Sequence, residues 1–326
     1  MQRILLIGFG FMGGTHAGVY RLLPDVRVVG VVDPRGEDIR EDLRACGLER
    51  VPVFGEFDEA VAGLDFDVAD ICLPTDLHRD MVLRAFAAGK HVFCEKPIAL
   101  TLEDAAAMTS AAGQASREFM VGHCIRFWPE YVELKNRFDS GLHGSLLSLS
   151  LSRRTGRPGY SFGDWVNKPE RCLGAALDLH IHDTDFLLHL FGMPTAVVAQ
   201  GLHDETGWTS ITTQYGYDGR IVTADGAWNY PEKFGFQMRF SAVFECAVLD
   251  YDSRSGITLV SADGPAALLS LPPNDGYYHE LAYFLGCLER KEPVAVSTGR
   301  QASESLRVVL TEIESARSGK TMPLIN

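Results

Sequence analysis

The first 122 residues alternate short apolar runs with stretches in which apolar side chains recur at helical spacing. Strands are predicted at the apolar runs, which are 3–7, 26–32, 51–54, 67–73, 91–94 and 119–121. Between them the helical pattern is clearest where Val82, Ala85 and Phe86 share one helix face, with Gly89 as a C-terminal stop. Strands that alternate with helices predict an α/β domain, residues 1–122, built on a doubly wound parallel sheet.

From residue 123 onward the pattern changes to the two-residue period of half-buried strands. Leu147, Leu149 and Leu151 alternate with serines, and the even-numbered residues of 236–248 continue such an alternation over a long segment. Asp218-Gly219 indicates a tight hairpin turn. Two amphipathic helices, around 281–288 and 306–313, finish the chain. The pattern predicts a second domain, residues 123–326, of the α+β class with a large, mainly antiparallel open sheet.

A glycine turn joins the first predicted strand to the first predicted helix. The order strand, Gly-x-Gly-x-x-Gly, helix, strand and acid is that of dinucleotide-binding sites. Gly8 permits the tight turn, Gly10 lets a pyrophosphate approach the backbone, and Gly13 lets the helix pack on the strand. The helix N-terminus offers free N–H groups to the phosphates. A turn whose glycines serve only packing is the weaker alternative, because strand, helix and acid all fall in place.

Asp33 ends the second predicted strand, twenty residues after Gly13, where a carboxylate accepts hydrogen bonds from the adenosine ribose. The same charge repels the 2′-phosphate of NADP, so NAD is the predicted cofactor and NADP the less favoured one. Arg35 is placed to offset part of that repulsion. The remaining cofactor contacts predicted in the turn are Phe9, Phe11 and Met12.

Further cofactor contacts are predicted at two strand ends, since ligands of such sheets bind beyond the C-terminal ends of the strands. The contacts predicted there, at the nicotinamide end, are Leu73, Pro74, Thr75, His78, Glu95 and Lys96. The ammonium of Lys96 suits the polarisation of a carbonyl or the stabilisation of an alkoxide. A surface lysine is the default for an arbitrary Lys-Pro pair, but the position after a strand of a nucleotide fold favours function. A cis Lys96–Pro97 bond is also predicted, since a fixed turn is where one is used.

A second set of chemical groups lies in residues 174–188. Asp178 and His182 are four residues apart and share one face if the segment is helical, which places a carboxylate beside an imidazole, as in an oriented acid/base pair. A metal site with His180 and a packed histidine are the alternatives. A metal is disfavoured because hydride transfer at a nicotinamide needs a proton acceptor and no metal. His180 itself is expected to line a pocket or to serve the structure.

Basic and aromatic side chains of the second domain are candidate substrate contacts. Arg153, with Arg154 and Arg157 beside it, suits an anionic or polyhydroxyl substrate, and a solvated basic turn is the equal alternative. Trp165 suits stacking on a sugar face, although core packing is the commoner use of a tryptophan. The full predicted substrate set is Lys96, Arg126, Arg153, Trp165, Asp178 and His182.

Length, net charge and cysteine content limit the classes of protein to which the chain can belong. At 326 residues the chain is long enough for two domains, since single cores stop growing near ~250–300 residues. The net charge of −13 makes nucleic acid or an anionic membrane a poor partner. No apolar run approaches the ~18 residues of a membrane span, and the N-terminus lacks a signal-peptide layout, so export is not indicated. Seven cysteines, odd in number and never in a C-x-x-C pair, predict reduced thiols and a cytoplasmic protein.

These motifs resemble those of the Gfo/Idh/MocA oxidoreductase family, which includes glucose–fructose oxidoreductase and inositol dehydrogenases. The resemblance covers nearly the whole chain and rests on G-F-G-F-M-G-G-T-H-A at 8–17, Asp33, P-T-D-L-H at 74–78, E-K-P at 95–97, R-F-W-P at 126–129 and G-A-A-L-D-L-H-I-H-D at 174–183. It implies a Rossmann domain and then an α/β domain whose open sheet often forms a dimer or tetramer contact. It also implies that Lys96, Asp178 and His182 correspond to the catalytic set of inositol-dehydrogenase-like members.

The chain departs from the family at His180, where glycine is common, and at Gly174-Ala175, where Gly-Gly is frequent. These departures bear on the substrate more than on the reaction. The predicted function is that of an NAD-dependent dehydrogenase or reductase acting on a secondary alcohol of a sugar, sugar derivative or inositol. A glycoside hydrolase that uses NAD for transient oxidation is the alternative, and a non-catalytic nucleotide-binding regulator ranks last because Lys96 and His182 are both present. The expected partners are a small carbohydrate or polyol and copies of the chain, as a homodimer or homotetramer through the second sheet.

Overall fold

The computed structural model describes residues 1–159, 161–262 and 264–324. The chain forms two compact units, each assembled from separate segments. The first unit consists of Met1–His123, Tyr160–Trp165 and Tyr277–Glu304, and the second of Cys124–Gly159, Val166–Gly276 and Ser305–Asn326. The units therefore differ from the two contiguous segments, 1–122 and 123–326, that the sequence predicts.

Six strands in the described part of the first unit form a fully parallel sheet. They are β1 (Gln2–Ile7), β2 (Val26–Val32), β3 (Val53–Phe54), β4 (Val68–Ile71), β5 (His91–Glu95) and β6 (Phe119–Gly122). Their order in the sheet is β3-β2-β1-β4-β5-β6. The strand order reverses between β1 and β4, and ligands of doubly wound sheets bind at the C-terminal ends of the strands beside such a point. The predicted doubly wound parallel sheet is confirmed.

Helices connect the strands of this sheet. They are α1 (Phe11–Tyr20), α2 (Arg40–Ala45), α3 (Phe57–Gly63), α4 (His78–Ala87) and α5 (Leu102–Ala115). Gly89 follows α4 with a φ of +71°, a conformation that glycine adopts without strain, as expected of a helix stop. Thr101 caps α5 by accepting the backbone N–H of Asp104 at 3.1 Å. Both local predictions are confirmed.

Nine strands in the described part of the second unit form a mixed sheet. They are β7 (Leu146–Gly156), β8 (Ala196–Asp204), β9 (Gly207–Tyr217), β10 (Arg220–Tyr230), β11 (Gln237–Phe244), β12 (Ala247–Asp252), β13 (Gly256–Ser261), β14 (Ala267–Leu268) and β15 (Met322–Pro323). The order is β14-β13-β12-β11-β7-β10-β9-β8-β15. Only β7 and β10 pair in parallel among these strands. The large, mainly antiparallel sheet is confirmed, and Asp218-Gly219 makes the turn between β9 and β10.

One interpretation of the strand pattern is wrong. The alternation over 236–248 looks continuous in the sequence, but it covers two strands, β11 and β12, with a turn at 245–246 between them. Met238 and Phe240 are buried on β11, whereas Ala247 and Leu249 are the buried residues on β12. The turn shifts the phase by one residue, so that Cys246 is exposed instead of facing the core.

The remaining helices are α6 (Pro129–Ser140), α7 (Pro169–Cys172), α8 (Ala175–Asp178), α9 (Ile181–Phe191), α10 (Gly276–Arg290) and α11 (Gly299–Ser318). Helix α9 buries Phe186, Leu187 and Leu190, the apolar face that its spacing predicts. In the described parts of the chain, no helix combines the length and the apolar character that crossing a bilayer requires.

The segment Tyr277–Glu304 belongs to the first unit because it packs on β5 and β6. Phe284 of α10 meets Phe93 edge to face, with ring centroids 5.6 Å apart. The Ser297 hydroxyl donates to the Val121 carbonyl at 2.6 Å. The sequence pattern predicts the helix of this segment but not its packing partner, because an apolar helix face does not indicate which sheet covers it.

Candidate active site

The glycine turn after β1 forms a cradle that side chains would fill. Gly8 has a φ of +88°, and a Cβ placed there would lie 2.6 Å from the Cys72 carbonyl oxygen. A Cβ on Gly13 would collide with the Gly8 carbonyl oxygen. At Gly10, by contrast, no described atom outside Gly10 and its two chain neighbours lies within 4 Å of such a Cβ, so the backbone there is open to a ligand. Gly8 and Gly13 thus have no room for a side chain, as their predicted roles require, and helix α1 begins directly after the turn, at Phe11. Contact of Gly10 with the cofactor stays a prediction.

Asp33 lies buried at the end of β2, and its carboxylate is held on both oxygens. Oδ2 accepts the backbone N–H of Phe9 at 2.9 Å, while Arg35 donates from Nε to Oδ1 at 2.9 Å and from Nη2 to Oδ2 at 2.8 Å. Burial raises the pKa of Asp33, but the hydrogen bonds from Arg35 outweigh it and leave the pKa below its usual value. The Arg35 guanidinium also lies over the Phe162 ring at 5.1 Å. Arg35 therefore offsets the charge of Asp33, as its place in the sequence predicts.

The two predicted strand-end segments lie side by side. Their strands β4 and β5 are paired, with Ile71 opposite Cys94. The His78 ring spans the segments, with Nε2 at 2.8 Å from the Leu73 carbonyl oxygen and Nδ1 at 2.9 Å from the Pro97 carbonyl oxygen. His78 is fully buried, so it ties the two turns together instead of facing solvent. Its direct contact with the cofactor stays a prediction, as do those of Pro74 and Thr75.

The Lys96–Pro97 peptide bond is cis, which confirms that prediction. The backbone N–H of Lys96 donates to Oε2 of Glu95 at 3.1 Å. Glu95 is itself only 4% exposed, so its carboxylate faces the interior. Glu95 thus supports the turn from beneath.

A buried polar cluster that sequence reasoning missed lies behind this turn. His16 of α1 and Asp70 of β4 are both fully buried, with Nδ1 of the imidazole 2.9 Å from Oδ2 of the carboxylate. Burial opposes the charged imidazole, but Asp70 outweighs it and the pKa of His16 is raised well above its ordinary value. His16 belongs to two groups of residues of the types that bind metals, one with Asp70 and Cys72 and the other with Glu95 and Glu280. In each group the potential ligand atoms lie within 4.8 Å of one another. Both ring nitrogens of His16 face carboxylate oxygens, so the imidazole is placed as the donor partner of Asp70 and Glu95.

The predicted acid/base pair lies on two consecutive helices of the second unit. Asp178 ends α8 and His182 stands in the first turn of α9, so the segment is not one continuous helix. The N–H of His180 reaches back five residues to the Ala175 carbonyl at 2.8 Å, which widens the turn between the helices. Asp178 and His182 are both half-buried. Their pairing stays a prediction.

His180, between these two residues, is anchored in the interior. Its Nε2 lies 2.9 Å from Oε2 of Glu312 on α11 and 3.1 Å from the Tyr215 hydroxyl of β9. Thr184 donates to Oε1 of the same Glu312 at 3.0 Å. A Cβ on Gly226 would lie 2.7 Å from that of His180, so this glycine of β10 leaves room for the imidazole. Of the two expectations for His180, the structure supports the structural one.

The arginines predicted to contact substrate are engaged in buried ion pairs. Arg126 donates from Nε and Nη2 to Asp185 at 2.7 and 2.8 Å, and Arg153 donates to Asp183 at 3.1 and 3.2 Å. The two guanidinium groups hold α9 in place, since both aspartates belong to it. Trp165 is half-buried and lies at the end of the short segment Tyr160–Trp165, which belongs to the first unit. Substrate contact by Arg126, Arg153 and Trp165 stays a prediction.

Comparison with known proteins identifies relatives along most of the chain. A 2,7-anhydro-N-acetylneuraminate hydratase of Escherichia coli is 28% identical over 70% of this chain and 63% of its own. A myo-inositol 2-dehydrogenase of Thermotoga maritima is 28% identical over 91% of each chain. Three curated relatives, the hydratase among them, are matched over only 63, 57 and 53% of their own length.

Among solved structures, a levoglucosan dehydrogenase in complex with NADH and levoglucosan has the same fold, with a TM-score of 0.88 over the whole of both chains at 19% identity. Two family models match the sequence. One, described as an oxidoreductase family with an NAD-binding Rossmann fold, matches residues 2–123. The other, the GFO/IDH/MocA C-terminal domain, matches residues 131–247. With both domains of one family matched in order, the chain belongs to the GFO/IDH/MocA oxidoreductase family.

Proposed function

We propose that the protein is an NAD-dependent oxidoreductase that acts on a secondary alcohol, or the corresponding ketone, of a sugar, sugar derivative or inositol. The observation that carries the proposal is Lys96 in its cis-proline turn after β5, beside the end of β4, in a sheet with a dinucleotide turn. An ammonium group at this edge of such a sheet is suited to an oxygen whose charge changes during the reaction. Family membership supports the same function.

The cradle at the glycine turn fits NAD. The open backbone at Gly10 and the first turn of α1 suit the pyrophosphate, and the ionised Asp33 suits the adenosine ribose. The Arg35 ion pair reduces the repulsion of the NADP 2′-phosphate by Asp33. The Asp33 carboxylate nevertheless stays ionised, so NAD is the preferred cofactor and NADP the less favoured one. When bound, NAD supplies the acceptor or donor of a hydride.

Side chains of the protein accept the proton of the substrate hydroxyl and stabilise the charge on its oxygen. In this proposal His182 takes the hydroxyl proton, Asp178 orients the imidazole, and Lys96 stabilises the negative charge that develops on the substrate oxygen. Lys96 and His182 can exchange these two roles. An acid/base group beside a charge-stabilising group is sufficient for oxidation of an alcohol, and the reverse order of steps serves reduction of a ketone.

A panel of polyols, aldoses and inositols, assayed for cofactor reduction at 340 nm with NAD and with NADP, tests the proposal. We expect turnover with at least one cyclic polyol or sugar, and higher activity with NAD. Lys96→Ala should then lower kcat on the order of 10²- to 10³-fold, as loss of one charge-stabilising donor does. The matched control is Lys320→Ala, because Lys320 is exposed. A Lys96→Ala protein that binds NAD and keeps full turnover contradicts the assignment.

A second candidate is glycoside cleavage or hydration through transient oxidation. A relative that is named a hydratase and is 28% identical favours it. In that case the same panel, extended to glycosides and anhydro sugars, yields a new sugar with no net absorbance change at 340 nm. A non-catalytic regulator predicts neither outcome.

We also propose that the protein is a cytoplasmic homodimer or homotetramer, assembled through the nine-stranded sheet. Val198, Leu202 and Ile221 are 41, 61 and 65% exposed on that sheet, which supports a covered face in the assembly. All seven cysteines are free thiols, in keeping with a reducing compartment. Light scattering coupled to size exclusion would give twice or four times the chain mass of 35.8 kDa, and a monomer would refute the assembly.

A further inference from the structure

His16 occupies a position between two carboxylates that come from different strands. It lies on α1, shortly after the dinucleotide turn, and it is fully buried. Its Nδ1 is 2.9 Å from Oδ2 of Asp70 on β4, and its Nε2 is 3.2 Å from Oε1 of Glu95 on β5. Only the imidazolium form can donate from both ring nitrogens, so two acidic partners hold His16 as a cation.

Glu95 extends this contact to the predicted catalytic lysine. One oxygen faces His16, and the other, Oε2, accepts the backbone N–H of Lys96 at 3.1 Å. The glycine of β6 leaves room for this carboxylate, because a Cβ on Gly122 would lie 3.0 Å from Oε1. Glu95 therefore has one defined place, between the imidazole and the lysine turn.

We propose that His16 is a positioning residue that, through Glu95, fixes the place of Lys96 relative to the dinucleotide turn. The inference rests on the proposed function, in which Lys96 touches the substrate. His16 touches no reacting atom in this mechanism. Its effect passes from α1 through the Glu95 carboxylate to the backbone of Lys96.

The surroundings of His16 explain why its charge is retained in the interior. Asp70 accepts a second hydrogen bond, from the Tyr20 hydroxyl at 2.8 Å, and the Cys72 sulfur lies 3.3 Å from Nδ1 of the imidazole. Burial raises the pKa of the Cys72 thiol, so this neighbour is neutral. Glu280 and Tyr20 are further titratable neighbours of the ring: a carboxylate oxygen of Glu280 lies within 4.8 Å of a ring nitrogen, and the Tyr20 ring stands edge-on to the imidazole with centroids 6.5 Å apart. The carboxylates of Asp70 and Glu95 thus both face the imidazole of His16, which is the positive partner that this cluster offers them.

A test separates positioning from mere packing by probing Lys96 directly. The variants are Glu95→Gln, which removes the charge, and Glu95→Asp, which keeps the charge but shortens its reach. Tyr20→Phe is the matched control, because it removes a hydrogen bond from Asp70 and leaves both His16 contacts intact. The protonation of His16 is followed by ¹⁵N NMR of histidine-labelled protein, and the reactivity of Lys96 by pH-dependent amine acetylation with mass spectrometry, with the exposed Lys320 as internal standard.

We expect wild-type His16 to carry protons on both nitrogens at pH 8, and Glu95→Gln to lose that signature. Both Glu95 variants should change the pH profile of Lys96 acetylation, whereas Tyr20→Phe should not. With a substrate from the panel, kcat of Glu95→Asp should fall on the order of 10- to 100-fold, as displacement of a reacting group by about 1 Å does.

A neutral His16 in the wild type at pH 8 overturns the inference. So does an unchanged Lys96 profile in a folded Glu95→Asp protein, even if its thermal stability is lower, since that is the result of a purely structural role. If no substrate in the panel is turned over, the proposed function fails, but the NMR and acetylation results still decide the inference. If Glu95→Gln does not fold, the acetylation profile of Glu95→Asp alone decides it.

Discussion

Replacement of Glu312 by glutamine tests the buried anchor of the Asp178–His182 segment. Glu312 and His180 are both fully buried, and their charged atoms are 2.9 Å apart. Glutamine keeps the shape of the side chain and can still accept the hydroxyl of Thr184. The substitution therefore removes the negative charge opposite His180 and little else.

The cost of this change depends on pH, and its sign follows from the His180 pKa. Burial alone would lower that pKa, but the Glu312 carboxylate outweighs burial and raises it above the ordinary histidine value. A raised folded-state pKa means that the pair stabilises the fold fully below about pH 6.5, the unfolded value, and that this contribution is lost as the pH rises through the folded-state pKa. In the variant the carboxylate is absent, so burial lowers the His180 pKa and keeps the imidazole neutral. Holding it neutral lowers the stability of the fold most at acidic pH, where the unfolded chain binds a proton.

We expect Glu312→Gln to lose about 3–5 kcal/mol of stability at pH 5.5, the usual cost of breaking a buried pair by removing one partner. At pH 9.5 the loss should shrink to about 1 kcal/mol, the value of a hydrogen bond. Urea unfolding at both pH values, at matched ionic strength, measures the difference. Glu314→Gln, two residues further along α11 and exposed, is the matched control and should change stability little at either pH.

A loss that is equal at both pH values would refute this explanation, because an ionised His180 could then not be its source. A loss no larger than that of Glu314→Gln would refute the anchor itself. Retention of activity in the variant at pH 9.5, together with reduced stability in acid, would locate the effect in the fold and not in the chemistry.

Two further substitutions have matched controls in the chain. Gly13→Ala should weaken NAD binding on the order of 10- to 100-fold, because its Cβ has no room beside the Gly8 carbonyl and such overpacking costs about 1–3 kcal/mol. Gly14→Ala should bind NAD normally, because no described atom beyond its chain neighbours and its own helix backbone lies within 4 Å of the added Cβ. Equal affinities of the two variants in fluorescence titrations would contradict the cradle. Arg126→Met should lower stability by about 3–5 kcal/mol, since it leaves Asp185 buried without its ion pair. Arg300→Met, which breaks an exposed pair, should lower stability by less than about 1 kcal/mol in thermal unfolding.

The parts of the fold that the sequence predicts are those with a local cause. The parallel sheet follows from apolar runs between helices. The glycine turn follows from three glycines, and at two of them, Gly8 and Gly13, there is no room for a Cβ atom. The cap at Thr101 and the hairpin at Asp218-Gly219 likewise depend on neighbours in sequence. Such features need no knowledge of the rest of the chain.

The features that sequence reasoning misses join residues far apart. The ion pairs Arg126–Asp185 and His180–Glu312 connect positions 59 and 132 residues apart, and neither partner carries a local pattern. The charge of Arg126 or Glu312 therefore gives no indication in the sequence of the residue with which it pairs. His16 stands within the recognised motif but gives no sign of its partners, since helical spacing indicates which face is buried and not what that face meets. The turn at 245–246 is not predicted because polar–apolar alternation does not show a reversal of direction.

Both segments that carry the proposed catalytic residues are held by buried charge and not by apolar packing alone. Lys96 follows the Glu95 carboxylate that faces His16, and α8 and α9 are bound by the partners of His180, Asp183 and Asp185. A buried ion pair adds little net stability over an apolar pair of the same volume, because desolvation consumes most of the attraction. What such a pair does impose is a single geometry, since a displaced partner leaves a charge unpaired in the interior. A reaction that depends on where a lysine or an imidazole stands gains from that property, whereas the stability of the fold alone would be served equally well by leucine and phenylalanine.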